Sequence, residues 1–238
     1  EHIASYQHII QSFTEQYPDI ALKDIAAALA LLIHKDKPWQ QNLPAVKAPK
    51  APMSSSRSSG SFGSGISDVY LIKTDSAGVF LWSKTYGGSQ TDFGFELEQT
   101  QDKGYIITGY TNSFNTLDYD VYLIRTDSMG DTLWTKTYGS AGWDMGYSVK
   151  QLGGGGFIIA GETSATSDLT GTDVILIRTD AMGDTLWTRS YGGTHDDGGR
   201  SIALTHDGGY IIAGGTSSYG NGKMDVFVIK TDSQGDTL

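Results

Sequence analysis

The chain has 238 residues with a formal net charge of −10 at pH 7, and it contains no cysteine, which excludes a disulfide framework and a thiolate metal site. Residues 66–238 hold 11 basic and 22 acidic side chains, and this acidic excess argues against binding a nucleic-acid backbone, which needs lysine and arginine to displace counterions. No run of about 18 apolar residues occurs, so no membrane-spanning helix is predicted.

Residues 1–36 are predicted to form a small α-helical hairpin. Two apolar stripes repeat at spacings of three and four residues, as on one face of a helix, and Pro18 separates them because the residue before a proline avoids helical geometry. The stripes are Ile3, Tyr6, Ile10, Phe13 and Tyr17, then Leu22, Ile25, Leu29 and Leu32. Two short helices have too little core to be stable alone. The hairpin is therefore either a cap on a neighbouring unit or a self-association module.

Residues 37–65 are predicted to be a disordered linker, because three prolines and the run SSSRSSGSFGSG leave no apolar face to bury. The pattern SYQHIIQSF…YPDIALKDIAAALALLIHKD, followed by this Ser/Gly/Arg tail, resembles the region after the second RecA-like domain of bacterial DEAD-box RNA helicases. In that family such helices help to dimerise the enzyme. None of the family's ATP-binding or RNA-binding motifs is present, so the resemblance implies self-association and no catalytic residue.

Residues 66–238 contain one sequence motif four times. It reads DVYLIKTDSAG, DVYLIRTDSMG, DVILIRTDAMG and DVFVIKTDSQG, and the starts at Asp68, Asp120, Asp173 and Asp225 are 52, 53 and 52 residues apart. A period of about 50 residues with strand-like content indicates one small sheet per copy, which must stack on other copies to bury both faces. Each copy is predicted to hold four short antiparallel strands, and such sheets stacked around an axis form a β-propeller.

The repeated residues are predicted to serve the scaffold. The segment TDSMGD suits a type I turn that is closed by a left-handed glycine, and the repeated tryptophans supply large rings to the fourth strand. A glycine in the second strand, such as Gly109, is expected where a side chain would collide with the next sheet. The predicted structural residues are Asp68, Asp120, Asp173 and Asp225; Gly78, Gly130, Gly183 and Gly235; and Trp82, Trp134 and Trp187.

The repeated charged residues admit functional readings beside the structural one. The aspartates of this motif could ligate calcium at each corner, although a calcium loop needs alternating oxygen ligands and often a bidentate Glu; capping of turns and strand ends is favoured, and no cofactor is predicted. The repeated basic residues, Lys73, Arg125, Arg178 and Lys230, are expected to pair with a neighbouring acid. The glycine run 153–156 is not a phosphate loop, because a strand follows it rather than a helix.

The combined motif, D-[VA]-[YF]-[VL]-x-K-x-D-x-x-G with a Trp strand ending in Y-G-G and then G-[YF]-I-x-x-G-x-T-x-S, resembles the seven-bladed β-propeller repeats of bacterial surface and secreted proteins. The resemblance covers residues 66–238. It implies an all-β, β-propeller-type array of about 3.3 four-stranded blades in an incomplete ring. The expected boundaries are a half-blade at 66–89, blades at 90–141 and 142–194, and a truncated blade at 195–238. It also implies a multi-domain exported protein, with this part extracellular or at the cell surface.

Residues that break the repeat are the better candidates for ligand binding. His195, Asp196 and Asp197 stand where other copies have Gln90-Thr91-Asp92 and Gly142-Trp143-Asp144. These positions precede the first strand, which is innermost in a propeller, so Trp143, Asp144, His195, Asp196 and Asp197 are predicted to face an axial mouth. A histidine beside two carboxylates could bind a metal or transfer a proton. Loops at 112–119, 164–172 and 217–224 vary between copies and could also carry recognition.

Three functional hypotheses follow. The favoured one is a non-enzymatic scaffold or binding module for a protein or glycan, because no polar constellation outside the repeat converges on one place. The second is a propeller enzyme of the hydrolase or lyase class with its site near residues 195–197. The third is a fusion of a helicase dimerisation segment to half a propeller, in which residues 1–36 dimerise the chain and two half-rings complete one another.

Overall fold

A computed structural model describes residues 65–114, 118–164 and 171–238. The predicted hairpin at 1–36 and all but the last residue of the predicted linker lie outside these residues. The described part contains thirteen β-strands and no helix, which confirms the all-β prediction for it. The strands are β1 (Val69–Thr74), β2 (Phe80–Tyr86), β3 (Asp92–Gln99), β4 (Tyr105–Thr111), β5 (Asp120–Thr126), β6 (Thr132–Tyr138), β7 (Asp144–Gln151), β8 (Phe157–Thr163), β9 (Asp173–Thr179), β10 (Thr185–Tyr191), β11 (Asp197–Leu204), β12 (Tyr210–Thr216) and β13 (Asp225–Thr231).

The strands form four small sheets whose neighbouring strands are all antiparallel. Sheet 1 is β1–β2, sheet 2 is β3–β6, sheet 3 is β7–β10 and sheet 4 is β11–β13, and every sheet follows chain order. Each sheet therefore corresponds to one copy of the repeat, as the period predicts. The four sheets stack in sequence, and within the described residues they do not close into a ring.

Stacking buries the third strand of each inner sheet on both faces. In β5, four consecutive residues are at most 1% exposed: Val121, Tyr122, Leu123 and Ile124. Burial on both faces explains why this strand is an apolar run without alternation. The equivalent strand β1 alternates instead: Val69 and Leu71 are buried, whereas Tyr70 and Ile72 are exposed. The difference arises because no described sheet covers the outer face of sheet 1.

Three apolar clusters join the sheets in pairs. One lies between sheets 1 and 2, one between sheets 2 and 3, and one between sheets 3 and 4. The middle cluster includes Ile106 and Leu123 from sheet 2 against Val149 and Ile159 from sheet 3, all fully buried. Each such side chain contributes about 1.5–3 kcal/mol when removed from water, so the sheets depend on one another for their stability.

A second repeated contact ties the last strand of one sheet to a turn of the next. The Tyr138 hydroxyl donates a hydrogen bond to the Gly183 carbonyl at 2.7 Å. A Cβ on Gly183 would lie 2.9 Å from the Trp134 ring, and its φ of +79° is a left-handed conformation, so glycine is required there on two counts. The same contact joins Trp82 and Tyr86 to Gly130, and Trp187 and Tyr191 to Gly235.

The second-strand glycines are required for a reason that the sequence did not predict. A side chain on Gly109 would collide with the carbonyl oxygen of Phe93 in the same sheet, not with the next sheet. The collision arises at a β-bulge, where the pairing of β3 with β4 shifts between Gly94 and Glu96. Gly161 and Gly214 stand beside the equivalent bulges of sheets 3 and 4.

Candidate functional site

The repeated aspartates of the turns between the third and fourth strands accept hydrogen bonds from the backbone of their own turns. In the turn between β5 and β6, Asp127 Oδ1 accepts hydrogen bonds from the backbone N–H groups of Met129 and Asp131 at 2.8 and 2.9 Å. Asp75, Asp180 and Asp232 do the same in their own turns. The described residues contain no group of three or more histidine or acidic side chains that could hold a metal ion.

The aspartates that begin each first strand are buried and hydrogen-bonded. Asp144 Oδ2 accepts a hydrogen bond from the N–H of Ser140 at 3.0 Å. Asp197 Oδ2 accepts from the N–H of Gly193 at 2.8 Å and from the Ser218 hydroxyl at 2.6 Å. Asp92 occupies the same place in sheet 2 and makes the same kind of bonds. The structure therefore places Asp144 and Asp197 in the packing of the sheet ends rather than at an open surface.

The aspartates that begin each third strand lie against these buried carboxylates. Gly139 has Asp120 on one side and Asp144 on the other, and no side chain would fit between the two carboxylates. Burial, followed by the negative charges of Asp144 and Asp118, raises the pKa of Asp120 to about 6. Asp68 and Asp173 are placed in the same way beside Gly87 and Gly192, and Asp225 lies beside Gly220.

His195 and Asp196 are exposed and hold neighbouring loops. His195 Nδ1 lies 2.9 Å from the Thr194 hydroxyl, and its backbone N–H donates to the Ser218 hydroxyl at 3.0 Å. Asp196 Oδ1 accepts a hydrogen bond from the N–H of Gly171 at 2.8 Å. Within the described segments no carboxylate is hydrogen-bonded to the His195 ring, so the structure does not bring residues 195–197 together as an acid–base group.

Trp143 belongs to a continuous group of six aromatic rings, which we call the aromatic shelf. Its ring meets Tyr119 edge to face with 5.1 Å between centroids, and Tyr119 meets Tyr110 at 5.0 Å. Tyr110 stacks on Phe93 at 5.7 Å with an angle of 9° between the ring planes. Phe95 and Tyr147 complete the shelf at 4.7 Å from one another. Phe93 and Phe95 are 45% and 43% exposed.

The centre of the shelf is built by β-bulges. Phe95, Tyr147 and Arg200 are the bulged residues of the first strands β3, β7 and β11, because the pairing register skips each of them. A bulge redirects a side chain out of the ordinary alternation. The three side chains consequently form a row across sheets 2, 3 and 4, and the Arg200 guanidinium lies 4.0 Å from the centre of the Tyr147 ring, a cation–π contact.

An ion pair between the buried Glu162 and the partly exposed Arg200 ends the row at sheet 4. Arg200 Nη2 lies 2.8 Å from Glu162 Oε2, and the Tyr147 hydroxyl donates a hydrogen bond to Glu162 Oε1 at 2.6 Å. Burial, followed by the negative charge of Glu162, raises the pKa of Tyr147, and burial also raises the pKa of Tyr110. These two phenols, Tyr147 and Tyr110, therefore remain neutral at physiological pH. The surface combines exposed ring faces with one polar, charge-balanced end.

All six rings occupy positions where at least one other copy of the repeat carries a non-aromatic residue. Trp143 is the shelf residue that the sequence identifies individually, and Tyr119 lies at the end of the variable loop 112–119. The other rings were missed because Phe and Tyr in strands look like core residues. Aligning the copies would have found three of them, because three aligned positions change residue class: Phe93, Met145 and Gly198; Tyr110, Glu162 and Gly215; and Tyr119, Thr172 and Met224.

One comparison with known families concerns the N-terminal part of the chain. Residues 1–44 match the family model described as the RNA helicase DeaD dimerization domain, which supports the helicase resemblance at that end. The matched residues lie outside the described part. No curated protein matches the chain. The propeller-family resemblance of residues 66–238 stays a prediction. The described residues include no helix long and apolar enough to cross a membrane.

Proposed function

We propose that residues 66–238 are a β-propeller-type scaffold that binds a glycan without catalysis and that the aromatic shelf is its recognition surface. The observation that carries the proposal is the row of connected rings with two phenylalanines more than two-fifths exposed. Exposing apolar area costs about 25 cal/mol per Å², and contiguous exposed apolar patches mark interaction sites more often than isolated ones. The propeller arrangement is supported by four sheets that stack in sequence through equivalent contacts.

The chemistry of the shelf favours a neutral oligosaccharide. Sugar rings present C–H faces that pack on aromatic faces, and their hydroxyls need hydrogen-bond partners at the edges. The shelf offers both, because Phe93 and Phe95 are each more than two-fifths exposed and the partly exposed Arg200 guanidinium lies at one end. A protein ligand is the alternative, and the same experiment separates the two.

A glycan array followed by calorimetry tests the proposal. We expect the protein to bind at least one neutral oligosaccharide and the Phe95→Ser variant to lose about 10-fold or more in affinity, a loss of about 1.4 kcal/mol. Leu133→Ser is the matched control, because Leu133 is an exposed strand residue outside the shelf. Equal affinity of the two variants would contradict the proposal, and binding to no glycan on the array would contradict it and favour a protein ligand. Hydrolase or lyase activity that His195→Ala abolishes would contradict the non-enzymatic part.

We also propose that the chain associates with itself. Two observations support this: residues 1–44 resemble a dimerisation domain, and both end sheets expose apolar strand faces. Tyr70 and Ile72 are exposed in sheet 1, and Val226 and Val228 in sheet 4, whereas their counterparts in β5 are buried. Light scattering on the full chain tests the proposal, with Ile72→Lys and Val228→Lys distinguishing the sheet faces from the N-terminal segment. A strict monomer contradicts it.

A further inference from the structure

Sheets 2 and 4 each contain an ion pair at the turn between their first two strands. In sheet 2, Asp102 pairs with Arg125 of the third strand, and in sheet 4, Asp207 pairs with Lys230 at 2.7 Å. Each aspartate is fixed further by a backbone N–H and by the threonine two residues before it. The Thr100 hydroxyl and then Arg125 lower the pKa of Asp102 to about 2. The basic residue of the third strand is thus neutralised within its own sheet.

Sheet 3 lacks the acidic half of this pair. The turn reads Leu152-Gly-Gly-Gly-Gly156, and Gly154 stands where the other copies have Asp102 and Asp207. The backbone shape is unchanged: the N–H of Leu152 donates to the carbonyl of Gly156 at 2.8 Å, as the N–H of Thr100 does to Gly104 at 2.9 Å. What is missing is the carboxylate and not the turn.

The basic residue of sheet 3 is nevertheless present. Arg178 Nη1 donates hydrogen bonds to the Tyr210 hydroxyl at 2.6 Å and to the Ser233 carbonyl at 3.2 Å. Among the described residues no carboxylate forms an ion pair with Arg178, and its Nε and Nη2 donate no hydrogen bond. The nearby Asp232 already accepts two backbone N–H groups of its own turn. The Arg178 side chain therefore has a fixed orientation and donors to spare.

A cavity lies beside Arg178. It has a volume of about 300 Å³ and is lined by residues of the equivalent turns of sheets 3 and 4, among them Gly153, Gly154 and Thr205, with Tyr210 and Arg178 in its wall. A Cβ placed on Gly153 or Gly154 would meet no heavy atom within 4 Å, so the space that side chains would fill is open. It stands at the opposite end of the first strands from the aromatic shelf.

We propose that Arg178 and this cavity bind a small oxyanion, a carboxylate or phosphate group, in the place that an aspartate occupies in the neighbouring copies. A guanidinium offers a planar pair of donors that matches two oxygens of such a group, and charge-assisted bonds of this kind are stronger than neutral ones. The ligand completes an ion pair that the fold makes internally in sheets 2 and 4. This site is independent of the glycan proposal, because it shares no residue with the shelf.

Substitutions at equivalent positions of two sheets test the proposal. Sodium acetate and sodium phosphate are titrated against the full chain at constant ionic strength, with sodium chloride as the control, and backbone amide shifts in the 153–156 turn report binding. We expect saturable binding of acetate, phosphate or both. Gly154→Asp supplies the missing carboxylate internally and is expected to weaken binding at least about 10-fold. Asp102→Gly exposes Arg125 and is expected to create a second site, reported by the 100–104 turn.

Each result decides the proposal. Binding of acetate alone or of phosphate alone supports it and identifies the oxyanion class. Equal shifts with chloride, no saturation by either anion, or unchanged affinity in Gly154→Asp overturns it. Arg178→Met is expected to abolish binding, and because this variant also loses the bonds to Tyr210 and Ser233, Gly154→Asp remains the decisive one.

Discussion

The last strands of sheets 1 to 3 carry the same contact residues in every copy, whereas the first strands of sheets 2 to 4 do not. At β2, β6 and β10, the same tryptophan and tyrosine contact the same glycine turn of the next sheet three times. At β3, β7 and β11, the bulged position carries Phe95, then Tyr147, then Arg200. The contrast shows that the repeated residues hold the sheets together, whereas the bulged positions of the first strands change residue type from one copy to the next.

The largest effect is expected from removing a ring on the repeated side. Trp134→Ala should lower the free energy of unfolding by about 3 kcal/mol, because the ring packs on Gly183 and against Phe157 at 5.9 Å between centroids. Denaturant unfolding measures the change. Leu133→Ala, one residue away on an exposed side chain, should change stability by less than about 0.5 kcal/mol. Similar losses in both variants would show that the tryptophan contact does not hold the sheets together.

A smaller loss is expected from the glycine under that ring. Gly183→Ala should cost about 2 kcal/mol, because φ is +79° and the added methyl meets Trp134. Gly154→Ala is the control: its Cβ meets nothing within 4 Å and its φ is not positive, so it should be neutral or slightly stabilising. A double-mutant cycle of Gly183→Ala with Trp134→Ala separates the two causes. Full additivity would mean that the contact with the Trp134 ring does not contribute to the loss.

On the variable side, the ion pair at the end of the shelf should matter less for stability. Glu162→Gln removes the charge facing Arg200 and keeps the acceptor for the Tyr147 hydroxyl. We expect a loss of about 1.5 kcal/mol, since one partner of a mostly buried pair is left uncompensated. Thermal unfolding measures it. Glu98→Gln, which weakens the longer 3.7 Å contact to Lys150, is the comparison and should cost less; the reverse order would contradict this account.

The fold was predictable from the sequence to the extent that it repeats. A period of about 50 residues, the Asp–Gly turns and the apolar third strand predict the number of sheets and their strand order. The aromatic shelf could not be predicted in this way, because a Phe or Tyr in a strand resembles a core residue until its position in the sheet is known. Phe95 and Tyr147 become neighbours through bulges that no local pattern announces. Asp144 and Asp197 look like free acids beside an aromatic residue and a histidine, but the turn geometry buries them.

The smallest predicted effect concerns Asp120, which lies where the last strand of sheet 2 meets the first strand of sheet 3. Burial, followed by the negative charges of Asp144 and Asp118, raises the pKa of Asp120 to about 6 in the folded protein, above the value near 3.9 of an unfolded chain. Its contribution to stability is therefore complete below about pH 4 and is lost as the pH rises through 6. Asp120→Asn should stabilise the protein at pH 7 by about 1 kcal/mol and flatten the stability profile between pH 4 and 7.

Asp102 is the control, because its pKa is shifted in the opposite direction. The lowered pKa of Asp102 contributes stability above pH 4 that is lost as the pH falls towards 2. Asp102→Asn should therefore leave the stability profile between pH 5 and 7 unchanged. Chemical denaturation across that range compares the two variants, and a parallel response would show that the sheet ends do not impose opposite electrostatics on these two carboxylates.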